Sequence, residues 1–297
     1  GAALGTLAAL LLADGSVASR PAALAMFCCG AFALAVVAGE LARGTRARMA
    51  IAGEAPPMAA LGLVRRNRRR YGGYTVHVGI ALLFIGVAAS SSFQHQTERS
   101  LGPGQTARVG RYNVRYLRPT AAVINGPDRT GATVDLGAVL EIRRGGRRVG
   151  TLRPMEGYYA SDEPSQGSVG YLIGGQPVSH ISMDSGLGGD VWSAIEPNIH
   201  SAALQRVVEA GNRIVPAGHY EDALAALWVL AHDYVKAPPA AQFNLITLPL
   251  VEWIWLGGLV ALLGALLAIW PSPLALRARV RALAPGSPGA AGEPAGA

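Results

Sequence analysis

Cysteine is nearly missing from this chain of 297 residues: Cys28 and Cys29 stand side by side inside an apolar run, and there is no CxxC. Neighbours on a helix point about 100° apart and a vicinal bridge is strained, so both read as small packing residues, and a thiol–disulfide relay through this chain is not supported. Charge is scarce too, at 15% of residues, where a soluble domain carries about 25%. Aromatic residues make up 6%, and no tryptophan precedes Trp192. No HxxxH or His-Cys spacing places two metal ligands on one face. What is abundant is apolar side chain, 51% of the total. That balance excludes an ordinary soluble domain, a disulfide mini-protein, a coiled coil and a charged disordered chain, and points to an integral membrane protein.

The apolar residues are concentrated in long runs. Residues 21–39 (PAALAMFCCGAFALAVVAG), 72–93 (GGYTVHVGIALLFIGVAASSSF) and 248–270 are each long enough to span, since about 20 residues at ~1.5 Å apiece cross a hydrocarbon core ~30 Å thick. Residues 1–13 look like another membrane helix but reach only ~20 Å, so they read as a truncated one, and the chain as the C-terminal part of a larger polytopic protein. Residues 271–297 end in PGSPGAAGEPAGA, which has no core-forming side chain and reads as a disordered tail.

Charge position sets the expected orientation. Residues 40–71 form an Arg-rich loop with eight arginines (Arg43, Arg46, Arg48, Arg65, Arg66, Arg68, Arg69, Arg70) against Glu40 and Glu54, and the tail holds Arg277, Arg279 and Arg281 against Glu293. By the positive-inside rule both are cytoplasmic, which puts the segment between the last two spans outside. Residues 93–247 carry 14 Lys and Arg against 14 Asp and Glu, so that segment presents no net basic face for nucleic acid.

Within it the pattern is mainly β. Val109–Leu117, Val134–Ile142 and Arg147–Leu152 alternate in part, and RRGGRR around Gly145 and Gly146 is a strong two-residue hairpin turn. Val169–Ile173 and Val178–Met183 flank Gly174-Gly175 with strand-turn-strand spacing. Residues 199–208 and 221–235 read as helices, the second with an apolar stripe of Leu224, Leu227, Leu230, Ala231 and Tyr234 that Pro238-Pro239 ends. The expected fold is a polytopic α-helical membrane protein with an inserted extracytoplasmic, mainly-β domain over 94–247, a small barrel or sandwich carrying one or two helices.

The residue that carries chemistry is His77. An ionisable side chain inside a membrane span usually faces a cavity, a cofactor or a polar partner, because lipid penalises it by a few kcal/mol. On a helix His77 shares a face with Gly73, Tyr74, Ile80, Ala81 and Phe84, and the small residues at i−4 and i+4 leave room for a flat macrocycle beside the ring. Two readings stay open: ligation of haem iron or another metal by a neutral imidazole, and a hydrogen bond between helices. A bis-histidine haem needs a second intramembrane His, and the three spans hold no other.

Residues 67–79 (NRRRYGGYTVHVG), the exit through Ser90-Ser91-Ser92-Phe93, and Val251-Glu252-Trp253-Ile254-Trp255-Leu256-Gly257-Gly258 with Leu263-Gly264 resemble the C-terminal part of CcmF, the haem-lyase subunit of bacterial cytochrome c maturation. The nitrite-reductase relative NrfE is a close second. The resemblance covers about Leu63 to Pro271 and is weak across Pro197 to Pro239, which looks like an insertion. It implies a cytochrome c haem lyase of the bacterial inner membrane, with its large domain in the periplasm. Such a machine receives haem from a periplasmic haem chaperone and joins it to the CxxCH thiols of apocytochrome c, with thiol-handling and holding subunits as further partners. It also implies a b-type haem (haem b) in the membrane that reduces the incoming haem, with quinol as a candidate electron donor and His77 as one axial ligand of its iron. The other ligand, the Trp-rich haem-handling segment and the periplasmic haem-gripping histidines of the family have no counterpart here, so no catalytic residue is assigned.

The remaining candidates have plainer readings. His95 sits just past the second full span and reads as a solvated interfacial residue, while His180, His200, His219 and His232 read as surface or packing residues. Trp253 and Trp255 are interfacial anchors, with Glu252 at the same level reaching water. A competing function is a non-catalytic docking module, a membrane-anchored β domain that presents a surface to partner subunits, with His77 merely packing.

Overall fold

A computed structural model describes residues 19–124, 133–161, 167–216 and 219–270, together with Gly5. In chain order the elements are α1 (Pro21–Ala52), α2 (Pro56–Arg66), α3 (Arg68–Ser92), β1 (His95–Leu101), β2 (Thr106–Val109), β3 (Tyr112–Ile124), β4 (Thr133–Arg144), β5 (Arg147–Leu152), β6 (Met155–Tyr158), α4 (Gly167–Ile173), β7 (Val178–His180), β8 (Ser182–Asp184), β9 (Asp190–Glu196), α5 (Ala202–Ile214), α6 (Tyr220–Lys236), β10 (Ala241–Leu248) and α7 (Glu252–Ile269). The truncated helix expected over 1–13 and the tail expected over 271–297 lie outside the described residues, Gly5 excepted. The chain divides into a helical unit, built on α1, α2, most of α3 and α7, and a second unit from Ala89 to Glu252.

Among the described residues α1, α3 and α7 are long and apolar enough to cross a membrane. Helix α1 starts on Pro21 at its first turn, where the missing N–H is no loss, and ends at Gly53, whose φ of 64° lets its N–H reach the Met49 carbonyl at 2.9 Å. Its 32 residues run ~48 Å, several turns more than a hydrocarbon core. The Arg-rich loop expected over 40–71 is therefore corrected: it is helical except for residues 53–55 and Asn67. Ala, Leu, Met and Arg are strong helix formers, and the breaks fall at Gly53, at the Pro56-Pro57 start of α2 and at its C-cap Asn67. Glu54 folds back onto Arg48 through two contacts of 2.8 Å.

Helices α1 and α3 run antiparallel. Gly30 meets Ile85, and Gly44 meets the Tyr71 hydroxyl. Helix α7 packs on α3 more closely. A Cβ on Gly72 would lie 2.6 Å from Ala268 N, and one on Gly257 would lie 2.6 Å from Gly79 O. Gly72 meets Gly264 and Ala268, and Gly79 meets Gly257 and Ala261. Rising numbers on one helix meet falling numbers on the other, so this pair is also antiparallel, with glycines two turns apart on both sides of the seam. In lipid such small-residue seams hold helices together by backbone contact.

The second unit is built on two antiparallel sheets, β1-β10-β9-β8 and β2-β3-β4-β6-β7, with β5 paired to the outer half of β4. Successive strand residues point to opposite faces, so Val134, Leu136, Ala138, Leu140 and Ile142 of β4 share one face. That face floors two cores: Ala138, Leu140 and Ile142 meet Val191, Ile195, Phe243 and Leu245 of the other sheet, while Val134 and Leu136 meet Leu172, Leu204, Leu227 and Tyr234 from helices α4 to α6. The chain is thus a membrane protein with a mainly-β domain.

Several elements differ from expectation. Val169–Ile173 is helix α4, not a strand, because Val169, Leu172 and Ile173 at i, i+3 and i+4 bury together in the helical layer, and five residues cannot distinguish the two periods. Residues 109–117 are split by a hairpin turn at Gly110 (φ 54°), which ends β2 and starts β3. The helix expected over 199–208 lies at Ala202–Ile214. The RRGGRR hairpin forms as read, with Gly145 and Gly146 at φ 56° and 81° between Arg144 and Arg147. Pro197 to Pro239, read as an insertion, supplies Leu204, Val208, Leu227, Leu230 and Tyr234 to the second core.

Candidate functional site

Helix α3 carries His77, and its neighbours decide where that side chain points. Residues advance 100° each around a helix, so Gly72, Val76, Gly79 and Leu83, which meet α7, form one stripe. Tyr74, Ala81 and Ile85 face α1 roughly half a turn away. Between them lies a lane of Gly73, His77, Ile80 and Phe84 that the described helices leave uncovered. A Cβ on Gly73 would meet nothing within 4 Å, Ile80 and Phe84 are 39% and 43% exposed, and His77 is exposed. Two residues expected on this face leave it: Ala81 is buried beside Gly30, and the Tyr74 hydroxyl is drawn to Glu40.

A polar tie one to two turns below His77 holds this rotational setting. Arg70 donates from Nη2 to Glu40 Oε2 at 2.7 Å and from Nε to the Tyr74 hydroxyl at 2.9 Å, and that hydroxyl donates to Glu40 Oε2 at 3.3 Å. Arg43 pairs with the same carboxylate. The glycine seam clamps α3 on one side and this tie clamps it on another. Open space at Gly73, apolar walls at Ile80 and Phe84, and an imidazole between them fit one axial position of a flat apolar macrocycle. Among the described residues no other histidine lies in α1, α3 or α7, so these helices offer a single imidazole.

Among the described residues the second unit holds no comparable site. His95, His180, His200, His219 and His232 are all exposed, His200 Nδ1 lying 3.5 Å from Gln205 Nε2. Among the described residues no three His, Cys, Asp or Glu side chains cluster as metal ligands. A groove of about 480 Å³ runs between α5 and α6, lined by Val207, Ile214, Ala226 and Val229 with Arg206, Asp222 and Asp233.

Sequence patterns gave no notice of a buried polar group at Glu156. It is 6% exposed and accepts a hydrogen bond from the Tyr158 hydroxyl at 2.9 Å. Burial pushes its carboxyl above the ordinary value, the nearby Glu196 adds to this, and hydrogen bonds from Tyr158 and Ser179 oppose it. Burial likewise raises the Tyr234 hydroxyl, which donates to Gly137 O at 3.2 Å. Because the folded value of Glu156 exceeds the unfolded one, its stabilising contribution is complete below the unfolded carboxylate pKa of ~4.3 and is lost as pH rises through the folded value. Glu156→Gln keeps the acceptor and the shape without the charge. The thermal midpoint of the variant is expected to gain on that of the parent as pH rises from acid to neutral; a constant difference between the two would show that Glu156 does not titrate in this way.

No family model matches the chain. It is 26% identical over 203 residues to the cytochrome c-type biogenesis protein CcmF of Pseudomonas aeruginosa, covering 68% of this chain and 22% of that protein. It is 21% identical over 210 residues to the CcmF of Haemophilus influenzae, covering 71% and 24%. The chain therefore spans less than a quarter of the length of either relative. A solved structure of the cytochrome c haem lyase CcmF aligns over 90% of this chain and 42% of its own, at 18% identity and a TM-score of 0.39.

Proposed function

We propose that this chain, related to CcmF over about two thirds of its length, acts in cytochrome c maturation by supplying His77 as one axial ligand of a b-type haem in the membrane. The observation that supports this most is the uncovered lane of α3, where the one histidine of the three spans lies between Gly73 and two apolar walls. A haem bound there would supply reversible one-electron iron chemistry, suited to keeping an incoming haem ferrous with electrons from quinol. The chain's part is to hold the imidazole at one height and rotation in the membrane. Gly72 and Gly79 set the distance to α7, Arg70 and Tyr74 set the rotation against α1, and Ile80 and Phe84 keep the ring's surroundings apolar. If the iron takes a second histidine, that ligand would have to come from outside α1, α3 and α7, whose described residues hold no other.

In this reading the second unit faces the periplasm of a bacterial inner membrane and positions the periplasmic haem chaperone, apocytochrome c and its thiol-handling subunits for ligation of haem to the CxxCH thiols. The test is the absorption spectrum of the detergent-purified assembly that contains the chain. A low-spin Soret and α band that depends on His77 supports the assignment; its absence leaves a docking module. Orientation has its own test: a reporter active only in the cytoplasm is expected to work when fused at Gly53 or after Arg281 and to fail at Gly126. The reverse pattern would overturn the placement.

A further inference from the structure

Residues 93–247 balance 14 Lys and Arg against 14 Asp and Glu, yet that charge is unevenly placed. The β4–β5 hairpin ends in Arg143, Arg144, Arg147 and Arg148, all exposed around the Gly145-Gly146 turn, and the β2–β3 hairpin adds Arg108 and Arg111. The two tips lie side by side: Asn113 pairs with Arg143, and the Arg144 guanidinium lies 5.9 Å from the centre of the Tyr112 ring. Residues 184–189 (DSGLGG) curl against them and share a hollow of about 240 Å³ with Tyr112, Arg144 and Val149. Leu187 in that loop is 71% exposed. Acids lie among these arginines too: Glu141 pairs with Arg143 at 2.7 Å and reaches Arg148 at 3.9 Å, Asp184 abuts Gly150, buried Asp190 accepts the Gly186 N–H at 3.3 Å, and Glu98 follows Thr97, whose hydroxyl donates to Arg108 O. A basic excess remains at this end, while Glu156, Glu196, Glu209, Asp222 and Asp233 belong to the helix-covered end or border it.

The arginine end is also where the chain enters and leaves the unit. A Cβ on Gly110 would lie 3.2 Å from Thr247 Oγ1 and 3.4 Å from the His95 ring, and one on Gly189 would lie 2.8 Å from Pro249 Cα. Only residues 93–94 separate β1 from α3, and only residues 249–251 separate β10 from α7. Links that short reach on the order of 10 Å, so His95 and Leu248 stay near the surface of any bilayer the helices cross.

We propose that this end of the unit is a docking surface for anionic phospholipid headgroups, the six arginines binding phosphate and Leu187 entering the interfacial layer. Guanidinium matches phosphate by paired N–H donors, and basic side chains next to a span are drawn to an acidic bilayer surface. Docking would hold the unit at one tilt, with its α5–α6 end turned away from the lipid.

The test uses the full chain in lipid nanodiscs, with Cys28→Ala and Cys29→Ala and a fluorophore on Ser185→Cys, an exposed position in the loop. Quenching by headgroup nitroxide lipid is expected to be at least twofold stronger with about 30% phosphatidylglycerol than with phosphatidylcholine alone. It should fall to the phosphatidylcholine level in roughly 0.5 M salt, where charges are screened within a few ångströms. Changing Arg143, Arg144, Arg147 and Arg148 together to Gln should abolish the difference, and changing them to Lys should keep most of it. Arg206→Gln with Arg213→Gln, the same kind of change at the other end, should leave it intact. Equal quenching in both lipids overturns the proposal, as does an equal loss from the Arg206 and Arg213 pair. Quenching that appears only after an acidic partner protein is added would also overturn it, in favour of protein docking.

Discussion

His77→Ala is expected to remove the low-spin haem spectrum of the assembly, lowering haem occupancy tenfold or more, while the chain still inserts and folds. The reason lies in how α3 is held. Its contacts with α7 run through Gly72, Val76 and Gly79, and its tie to α1 runs through Arg70 and Tyr74. None of them touches the lane that contains His77, and alanine is the better helix former. In the proposed reading the variant would lose the imidazole nitrogen that would hold the iron, and Gly73, Ile80 and Phe84 beside it carry no side-chain atom that could take its place. Exogenous imidazole fits the vacated space and is expected to restore part of the spectrum and of cytochrome c output. His77→Gln provides the sharper control, since an amide can replace a hydrogen bond between helices but cannot hold iron low-spin. A Gln variant with parental spectrum and full maturation activity would sink the assignment.

The second large effect separates two adjacent glycines. Gly72→Leu is expected to lose α3–α7 packing, because a Cβ there already lies 2.6 Å from Ala268 N and 2.7 Å from Gly264 O. Backbone cannot move aside as a side-chain end can, so the cost is about 2–3 kcal/mol, and poor folded yield is the expected readout. Gly73→Leu, one residue on, faces open space and is expected to fold with an unchanged thermal midpoint. Its side chain would nonetheless fill the lane one turn before His77, so it should lower haem occupancy. Equal stability loss in both variants would show that the lane is not open. A normal spectrum in Gly73→Leu would show that haem does not use it.

The contrast between Gly72 and Gly73 also marks how far the residues alone could be read. Both stood in the pattern as small residues near a membrane histidine. The apolar runs at 21–39, 72–93 and 248–270 were legible because hydropathy accumulates along one continuous segment, and the Gly145-Gly146 turn because two consecutive residues with positive φ are a local demand that glycine meets. Glycines seven apart at 72 and 79, and again at 257 and 264, were the available signal for the α3–α7 seam, although neither pair names its partner. Strand β1 (HQTERSL) has a single buried residue and no alternation to betray it; only its seven-residue pairing with β10 makes it a strand.

The same limit applies to the functional residues. That His77 is the chemically capable side chain of its span follows from composition, because a lone imidazole among apolar residues needs a partner wherever it points. The tertiary structure decided that it points into a lane the described helices leave uncovered, that Tyr74 and Ala81 are diverted from that lane, and that the arginines of two hairpins gather where the second unit meets its tethers. Hydropathy, charge count and turn chemistry act within one segment and so appear in the order of residues. Which face of a helix stays open, and which distant charges become neighbours, are set by the pairing of separate segments, and that pairing depends on close contacts many residues apart.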